Sequence, residues 1–314
     1  MRTLVLTGAT GFVGRRLLSE ALARGWAVRA LVREPSRVPP AEHLEVEPWD
    51  ALRAETPVDL LAGADAVCHA AAFLPPDYAD PAFAERCFRA NALGTLSLLA
   101  AASEAGVGRF VHFSSGNAYA PGPDLAREHH PLYPSARAPY YLTSKVASEV
   151  FVEHWRETKG LCACVLRLGS VYGPGMAAGG LVPGFVRTLR AGRPIVVRDG
   201  GRYGVDLVLI DDVVAAALSA LETEASGPFN VGSGARTATR ELAGLLVEII
   251  GADEELVIVE PPGDGPVDAG FAGLDIGRAI RQLGYRPTPL REGLERYVRW
   301  LLSSSPDDLH RKEA

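Results

Sequence analysis

The chain has 314 residues, 47% apolar and 22% charged, enough to bury a large core in one big domain or a domain with a smaller appendage. A formal net charge of −6 gives no overall electrostatic reason to expect nucleic acid or an anionic membrane as partner. No apolar run reaches the roughly 20 residues that span a bilayer, and the start, MRTLVLTGATGF, lacks a signal-peptide layout. A soluble cytoplasmic protein is expected.

In chain order, TLVLTG reads as a buried strand and GRRLLSEALARGW as a helix closed by Gly25. AVRALVR is a second strand, LEVEPWD a weaker third and DAVCHAAA a fourth. NALGTLSLLAAASEAG is an apolar helix ending at Gly106. Strand RFVHFSS follows, then a helix carrying Tyr141, then strand CACVLRLGSVYGPG. Such alternation predicts the α/β class, a doubly wound parallel sheet with helices on both faces. Beyond about residue 174 the loops lengthen and become glycine-rich, with helices around LVPGFVRTLRAG, DDVVAAALSALE, TRELAGLLVEIIG and DIGRAIRQLGY. This portion reads as a smaller lobe folded over the sheet edge, and the tail SSSPDDLHRKEA as a polar, fraying end. Cys68, Cys87, Cys162 and Cys164 lack metal-ligand spacing and read as reduced packing residues, so no metal site is expected.

Gly8, Gly11 and Gly14 fall between the first strand and the first helix. Glycine lets the backbone turn tightly and approach a pyrophosphate, which the helix N-terminus then stabilises. At the end of the second strand Arg33 stands where NAD-binding chains usually place a carboxylate, with Arg37 close behind. A guanidinium there suits a 2′-phosphate, so NADP is favoured over NAD, with ordinary surface arginines as the alternative. Further on, Tyr141 and Lys145 are four residues apart and share a helix face.

The glycine turn, HAAA at 69–72, Asn91 in RANALGT, FSSGNAYA at 113–120, Tyr141-x-x-x-Lys145 and RLGSVYGPG at 167–175 occur in one order. In that order they resemble the extended short-chain dehydrogenases/reductases, the NAD(P)-dependent epimerase/dehydratase family. VLIDDVVAA, GPFNVGSG and DIGRAIRQLGYRP match its C-terminal landmarks, so the resemblance covers nearly the whole chain. It implies a Rossmann-type domain mainly over 1–174, a substrate-binding lobe mainly over 175–302 with some elements exchanged, and a tail at 303–314. It also implies Tyr141 as general acid/base, Lys145 as the group lowering the tyrosine pKa, Ser115 on the reacting oxygen and Asn91 as a supporting polar group. Implied cofactor contacts are Gly8, Gly11, Phe12, Val13, Arg33, Asp50, Ala51, Ala70, Ala71, Ala72, Tyr141, Lys145, Leu168 and Val171. Relatives commonly pair through the helices at 91–105 and 140–157, so a homodimer is implied.

Three departures bear on the reaction. The family's dehydratases carry Asp-Glu after the catalytic Ser/Thr, whereas this chain has Gly116 and Asn117, so elimination lacks its acid and base. Its nucleotide-sugar epimerases hold the substrate diphosphate with arginines where Val205 and Pro261 stand here. Ser170 replaces the Asn common before VYGP, and Arg187, Arg190, Arg193, Arg198 or Arg202 are the candidates to compensate. The leading expectation is hydride transfer at a secondary alcohol or ketone of a small molecule without a nucleotide, as in 3β-hydroxysteroid-dehydrogenase-like ketoreductases. The alternative is a nucleotide-sugar 4-epimerase or 4-ketoreductase; a non-catalytic NADP-sensing protein is the remote one.

Overall fold

The computed structural model describes residues 1–53, 55–120, 125–176, 179–263 and 270–303. Its helices are α1 (Phe12–Ala23), α2 (Ala84–Cys87), α3 (Gly94–Glu104), α4 (Pro139–Lys159), α5 (Leu181–Arg190), α6 (Ile210–Glu222), α7 (Thr239–Ile250), α8 (Gly277–Leu283) and α9 (Leu290–Ser303). Five strands come first: β1 (Thr3–Thr7), β2 (Ala27–Val32), β3 (Leu44–Pro48), β4 (Ala66–His69) and β5 (Arg109–Ser115). After β6 (Leu125–Ala126) and β7 (Cys162–Leu168) come the short β8 (Ser170–Tyr172), β9 (Ile195–Val197), β10 (Gly204–Val205) and β11 (Leu207–Leu209). The last are β12 (Gly227–Val231), β13 (Thr237–Ala238), β14 (Val257–Val259) and β15 (Gly273–Leu274).

Seven strands form one parallel sheet in the order β12-β7-β5-β4-β1-β2-β3. Both faces are covered, which is why β4 and β5 are buried along their whole length instead of alternating. On one face Leu17 and Ala21 of α1 pack with Val213 and Ala217 of α6. Leu98 and Leu99 of α3 and Val152 of α4 fill the other. Strand order reverses at β1 and β4, and the crevice beyond the carboxyl ends of such strands is where open α/β sheets bind ligands. A separate core of Val182, Val186, Leu242, Leu246, Leu294 and Tyr297 lies under α5, α7 and α9.

Two features depart from the sequence-based expectation. The run CACVLRLGSVYGPG is two strands, not one: β7 belongs to the large sheet, while β8 leaves it to pair with β11. The break falls at Gly169, where a Cβ would meet the Asp206 carbonyl oxygen at 2.7 Å. From the C-terminal half, β12 completes the large sheet and α6 packs on it. Helix α9 was not anticipated, and Ser303 closes it, so the expected tail begins inside a helix; residues 304–314 lie outside the described residues.

Candidate active site

A cleft of about 740 Å³ runs from the glycine turn past Tyr141 to the smaller core. At its first end β1 delivers the chain into Gly8, whose φ of +73° favours glycine. A Cβ on Gly8 would lie 2.6 Å from the Ala71 nitrogen, and one on Gly14 only 2.0 Å from the Gly8 carbonyl oxygen. The turn therefore needs both glycines simply to pack. Gly11 caps α1 without a side-chain hydrogen bond, and Phe12, Val13 and Gly14 of its first turn line the cleft. Uncapped N–H groups at the positive end of a helix dipole fit a pyrophosphate. Arg33, Asp50, Ala51, Ala70, Ala71, Ala72, Leu168 and Val171 line the same cleft, joined by Trp49 and Leu52, which sequence reasoning missed.

A hydrogen-bond chain fixes this end. The Ala71 N–H donates to Thr7 Oγ1 (3.1 Å), and the same hydroxyl is hydrogen-bonded to His69 Nδ1 at 2.7 Å. Thr95 Oγ1 donates to the Asn91 carbonyl (2.6 Å) and so accepts from His69 Nε2 at 2.9 Å. Burial and the charge of Lys145 hold His69 down to about 3, which keeps it in that neutral tautomer. His69 stacks on His112 with ring centroids 5.4 Å apart, and both are buried in the core rather than in the cleft lining.

At the middle of the cleft, Ser115 ends β5 and its Oγ accepts the Asn117 N–H at 3.2 Å. Tyr141 and Lys145 reach the cleft from α4, which opens with Pro139 and closes at Gly160 in the left-handed region. Ser114 also lines the cleft, and its buried Oγ has no hydrogen-bond partner among the described residues, which suits a ligand-binding wall. Asn91 has a different place from the one expected. It is 1% exposed, sits in a π-helical turn (Phe88–Leu93) and does not line the cleft. Its amide is saturated: Oδ1 accepts the Phe73 N–H (2.7 Å), while Nδ2 donates to the Phe73 carbonyl (3.1 Å) and Ser144 Oγ (3.0 Å). Ser144 in turn donates to the Tyr141 carbonyl at 2.7 Å, so Asn91 ties the loop after β4 to the helix that carries Tyr141.

The electrostatics also differ from expectation. Burial, with Tyr78 and Cys87 beside it, pushes the Tyr141 phenol up rather than down. Lys145, 2% exposed, is pulled down to about 8 by burial despite Glu149 nearby. Desolvation is the largest cause for both and drives each toward its neutral form. Because the folded value of Lys145 lies below its ordinary 10.5, the unfolded chain binds more protons between those values, and stability rises with pH there. Denaturant midpoints measured between about pH 8 and 10.5 should show this rise in the wild type and a smaller one in Lys145→Met; equal slopes would exclude Lys145 as its source.

Beyond Tyr141 the lining changes to Phe73, Tyr78, Arg86, Arg137, Tyr203 and Phe271, none anticipated as a site residue. Tyr78 meets Tyr141 edge-on at 5.5 Å. No spacing or motif in the sequence marks these six residues. Val205, by contrast, is 7% exposed and packs in the smaller core, and none of Arg187, Arg190, Arg193, Arg198 or Arg202 lines the cleft.

A glycine-cradled crevice at the sheet's switch point, with Ser, Tyr and Lys converging in it, defines a Rossmann-type dinucleotide-dependent enzyme. A family model described as the NAD dependent epimerase/dehydratase family matches residues 4–232, and the chain belongs to that family, within the extended short-chain dehydrogenases/reductases. It is 30% identical to a dTDP-4-dehydro-6-deoxy-D-allose reductase of a Streptomyces species, over 95% of this chain and 96% of the relative. A UDP-glucose 4-epimerase of Mycolicibacterium smegmatis is 33% identical over 97% and 100% of the respective chains. Among solved structures, a dTDP-glucose 4,6-dehydratase from Streptomyces venezuelae, with NAD bound, superposes with a TM-score of 0.82 at 29% identity, covering 96% and 97%. These relatives are enzymes, which removes support from the non-catalytic alternative. Their named substrates favour the nucleotide-sugar alternative over the leading expectation of a ketone without a nucleotide. No helix among the described residues is long and apolar enough to cross a membrane.

Proposed function

We propose that this chain is an NADP(H)-favouring reductase of a 4-keto nucleotide sugar. The observation that carries the reading is the make-up of the cleft at Tyr141. Ser115, Tyr141 and Lys145 converge there, and Gly116 and Asn117 replace the carboxylates that elimination requires. One proton can be moved at a carbonyl; a second, for dehydration, has no carrier. The relatives supply the substrate class.

The dinucleotide, when bound, supplies or accepts the hydride. The chain's residues do the rest. Gly8, Gly11 and the first turn of α1 hold the pyrophosphate, and Ser115 orients the substrate oxygen. The Tyr141 phenol gives its proton to the carbonyl oxygen as negative charge develops there, or takes one from the alcohol in reverse. Lys145, buried with a pKa near 8, holds an exchangeable proton one helical turn away. The aromatic lining excludes water from the reacting centre.

The cofactor preference rests on three arginines at the end of β2 and the start of α1. Arg33 lines the cleft, while burial and the charge of Arg37 both pull the Arg15 guanidinium down. Among the described residues Arg37 pairs loosely with Glu34, at 3.9 Å. A 2′-phosphate would relieve this repulsion. Homodimer formation through residues 91–105 and 140–157 is part of the proposal, supported by the exposure of Leu93 (53%) and Val150 (61%). A single-chain mass by light scattering at micromolar concentration would count against it.

A second reading, a ketone without a nucleotide, is favoured by the buried Val205 and the aromatic lining beyond Tyr141. The test is turnover of NADPH and NADH with dTDP- or UDP-linked 4-keto sugars beside simple aromatic and alicyclic ketones. Consumption of NADPH with the 4-keto nucleotide sugar is expected. Arg33→Ser should weaken NADPH binding by about tenfold or more and leave NADH nearly unchanged. Turnover only with nucleotide-free ketones overturns the substrate assignment, and interconversion of UDP-sugars without added cofactor makes the chain an epimerase.

A further inference from the structure

We propose that Tyr78 selects the substrate by hydrogen-bonding the hydroxyl beside the reacting carbonyl, which on a 4-keto hexose is the 3-hydroxyl. The inference deepens the nucleotide-sugar reading above and rests on it. It begins from a polar group that the chain leaves unmatched. Tyr78 is half-buried in the wall of the cleft beyond Tyr141. Burial, with Cys87 nearby, pushes its phenol up, so the hydroxyl stays protonated at neutral pH. Among the described residues that hydroxyl has no hydrogen-bond partner, and it is not one of the side-chain atoms sealed from solvent. A tyrosine taken out of water ordinarily finds a partner for its O–H. Here the cleft is where the partner would sit.

The loop that carries Tyr78 is held at both ends. At its start the Phe73 backbone exchanges two hydrogen bonds with the Asn91 amide, at 2.7 and 3.1 Å. At its far end Asp80 caps the short helical turn Pro81–Phe83, accepting the Ala82 N–H at 2.8 Å. Between them Asp77 accepts the Ala79 N–H at 2.9 Å, closing a turn around Tyr78. Pro75 and Pro76 restrict the backbone further, and Pro75 is buried. The Tyr78 ring then meets that of Tyr141 edge-on, with centroids 5.5 Å apart and planes at 86°. A side chain fixed in this way before the ligand arrives loses little freedom on binding, so even one hydrogen bond can discriminate.

The identity of the partner follows from the neighbour. Tyr141 exchanges its proton with the carbonyl oxygen, and Tyr78 touches Tyr141, so the substrate group it meets is next to the reacting carbon. The carbonyl of a 4-keto hexose has two neighbours. The carbon at position 3 carries a hydroxyl, whereas the carbon at position 5 carries the ring oxygen, which can only accept. A phenol donates one hydrogen bond and accepts others, so the hydroxyl is its better match. A site built to bind a substrate hydroxyl rejects an analogue without it, because the site's own polar group is then left unpaired. Tyr78 therefore favours a sugar hydroxylated beside the ketone over one deoxygenated there.

The experiment measures reduction of dTDP-4-keto-6-deoxyglucose and of its 3-deoxy counterpart by the full chain and by Tyr78→Phe, with NADPH or NADH supplied. Wild type should prefer the 3-hydroxy sugar by about tenfold or more in kcat/KM, and Tyr78→Phe should bring the two sugars within about twofold. The loss should fall on the 3-hydroxy sugar alone, a coupling between residue and substrate group that a merely structural role would not produce. Cofactor binding and thermal unfolding should match wild type, since phenylalanine keeps the edge contact with Tyr141. Tyr78→Leu removes the ring as well and should lower kcat on both sugars by loosening Tyr141. If wild type reduces the 3-hydroxy sugar and Tyr78→Phe keeps the wild-type preference, Tyr78 does not read that hydroxyl and the nucleotide-sugar reading stands. An equal loss on both sugars in Tyr78→Phe also overturns the selection, leaving Tyr78 as a support for Tyr141. If wild type reduces neither sugar, the nucleotide-sugar reading falls and this inference with it.

Discussion

Tyr141→Phe lowers kcat by about 10²- to 10⁴-fold, the usual contribution of a positioned acid/base, and leaves NADPH binding and thermal stability close to wild type. The expectation follows from how the side chain is held. Tyr141 is anchored through its backbone carbonyl by Ser144 and through its ring by the edge contact with Tyr78, and phenylalanine keeps both. Only the hydroxyl is lost, and with it the proton that must reach the substrate oxygen. Because burial pushes the phenol up, Tyr141 is protonated at neutral pH and suited to the reductive direction, donating to a carbonyl. Single-turnover mixing with NADPH and the keto substrate checks this. Retention of kcat within a few-fold would remove Tyr141 from the chemistry.

Arg167→Met should cost about 3–5 kcal/mol of stability, the penalty for leaving a buried charge without its partner. Arg167 on β7 donates through Nε and Nη2 to the Glu149 carboxylate of α4, the closest contact being 2.7 Å, with both side chains 8% exposed. Its Nη1 also reaches the Tyr119 hydroxyl (2.8 Å) and the Glu128 carbonyl (2.9 Å). The pair therefore fastens α4, which carries Tyr141 and Lys145, to the sheet. Removing the guanidinium strands Glu149 one turn from Lys145, whose pKa should rise toward its ordinary value as the freed carboxylate turns its charge on it. Urea unfolding of Arg167→Met and of Arg167→Met with Glu149→Leu tests this. The double variant should recover part of the loss, because no unpaired carboxylate remains. A single variant as stable as wild type would show that α4 is held by its apolar packing alone.

The two results bear on different features: one on a proton at the cleft, the other on the buried pair that holds its helix. Asn91 belongs with the second. The resemblance made it a supporting polar group at the site; its amide binds Phe73 and Ser144, the residue that also holds the Tyr141 carbonyl.

The strand–helix alternation, the glycine turn and the Tyr141–Lys145 pair were legible in the residues alone. Each depends on neighbours along the chain: helix period, strand burial, or a backbone that only glycine tolerates. The cofactor half of the cleft follows from the same local rules, because a parallel sheet brings its turns to one edge. The substrate half does not. Arg137 stacks on Tyr203 and Arg86 on Phe73 because loops without any period are folded against one another. Likewise, the sign of the Tyr141 and Lys145 shifts was set by burial, which no spacing reveals. Local pattern selects the fold and the glycine turn of the cleft; which side chains line its other half is decided only when distant segments pack.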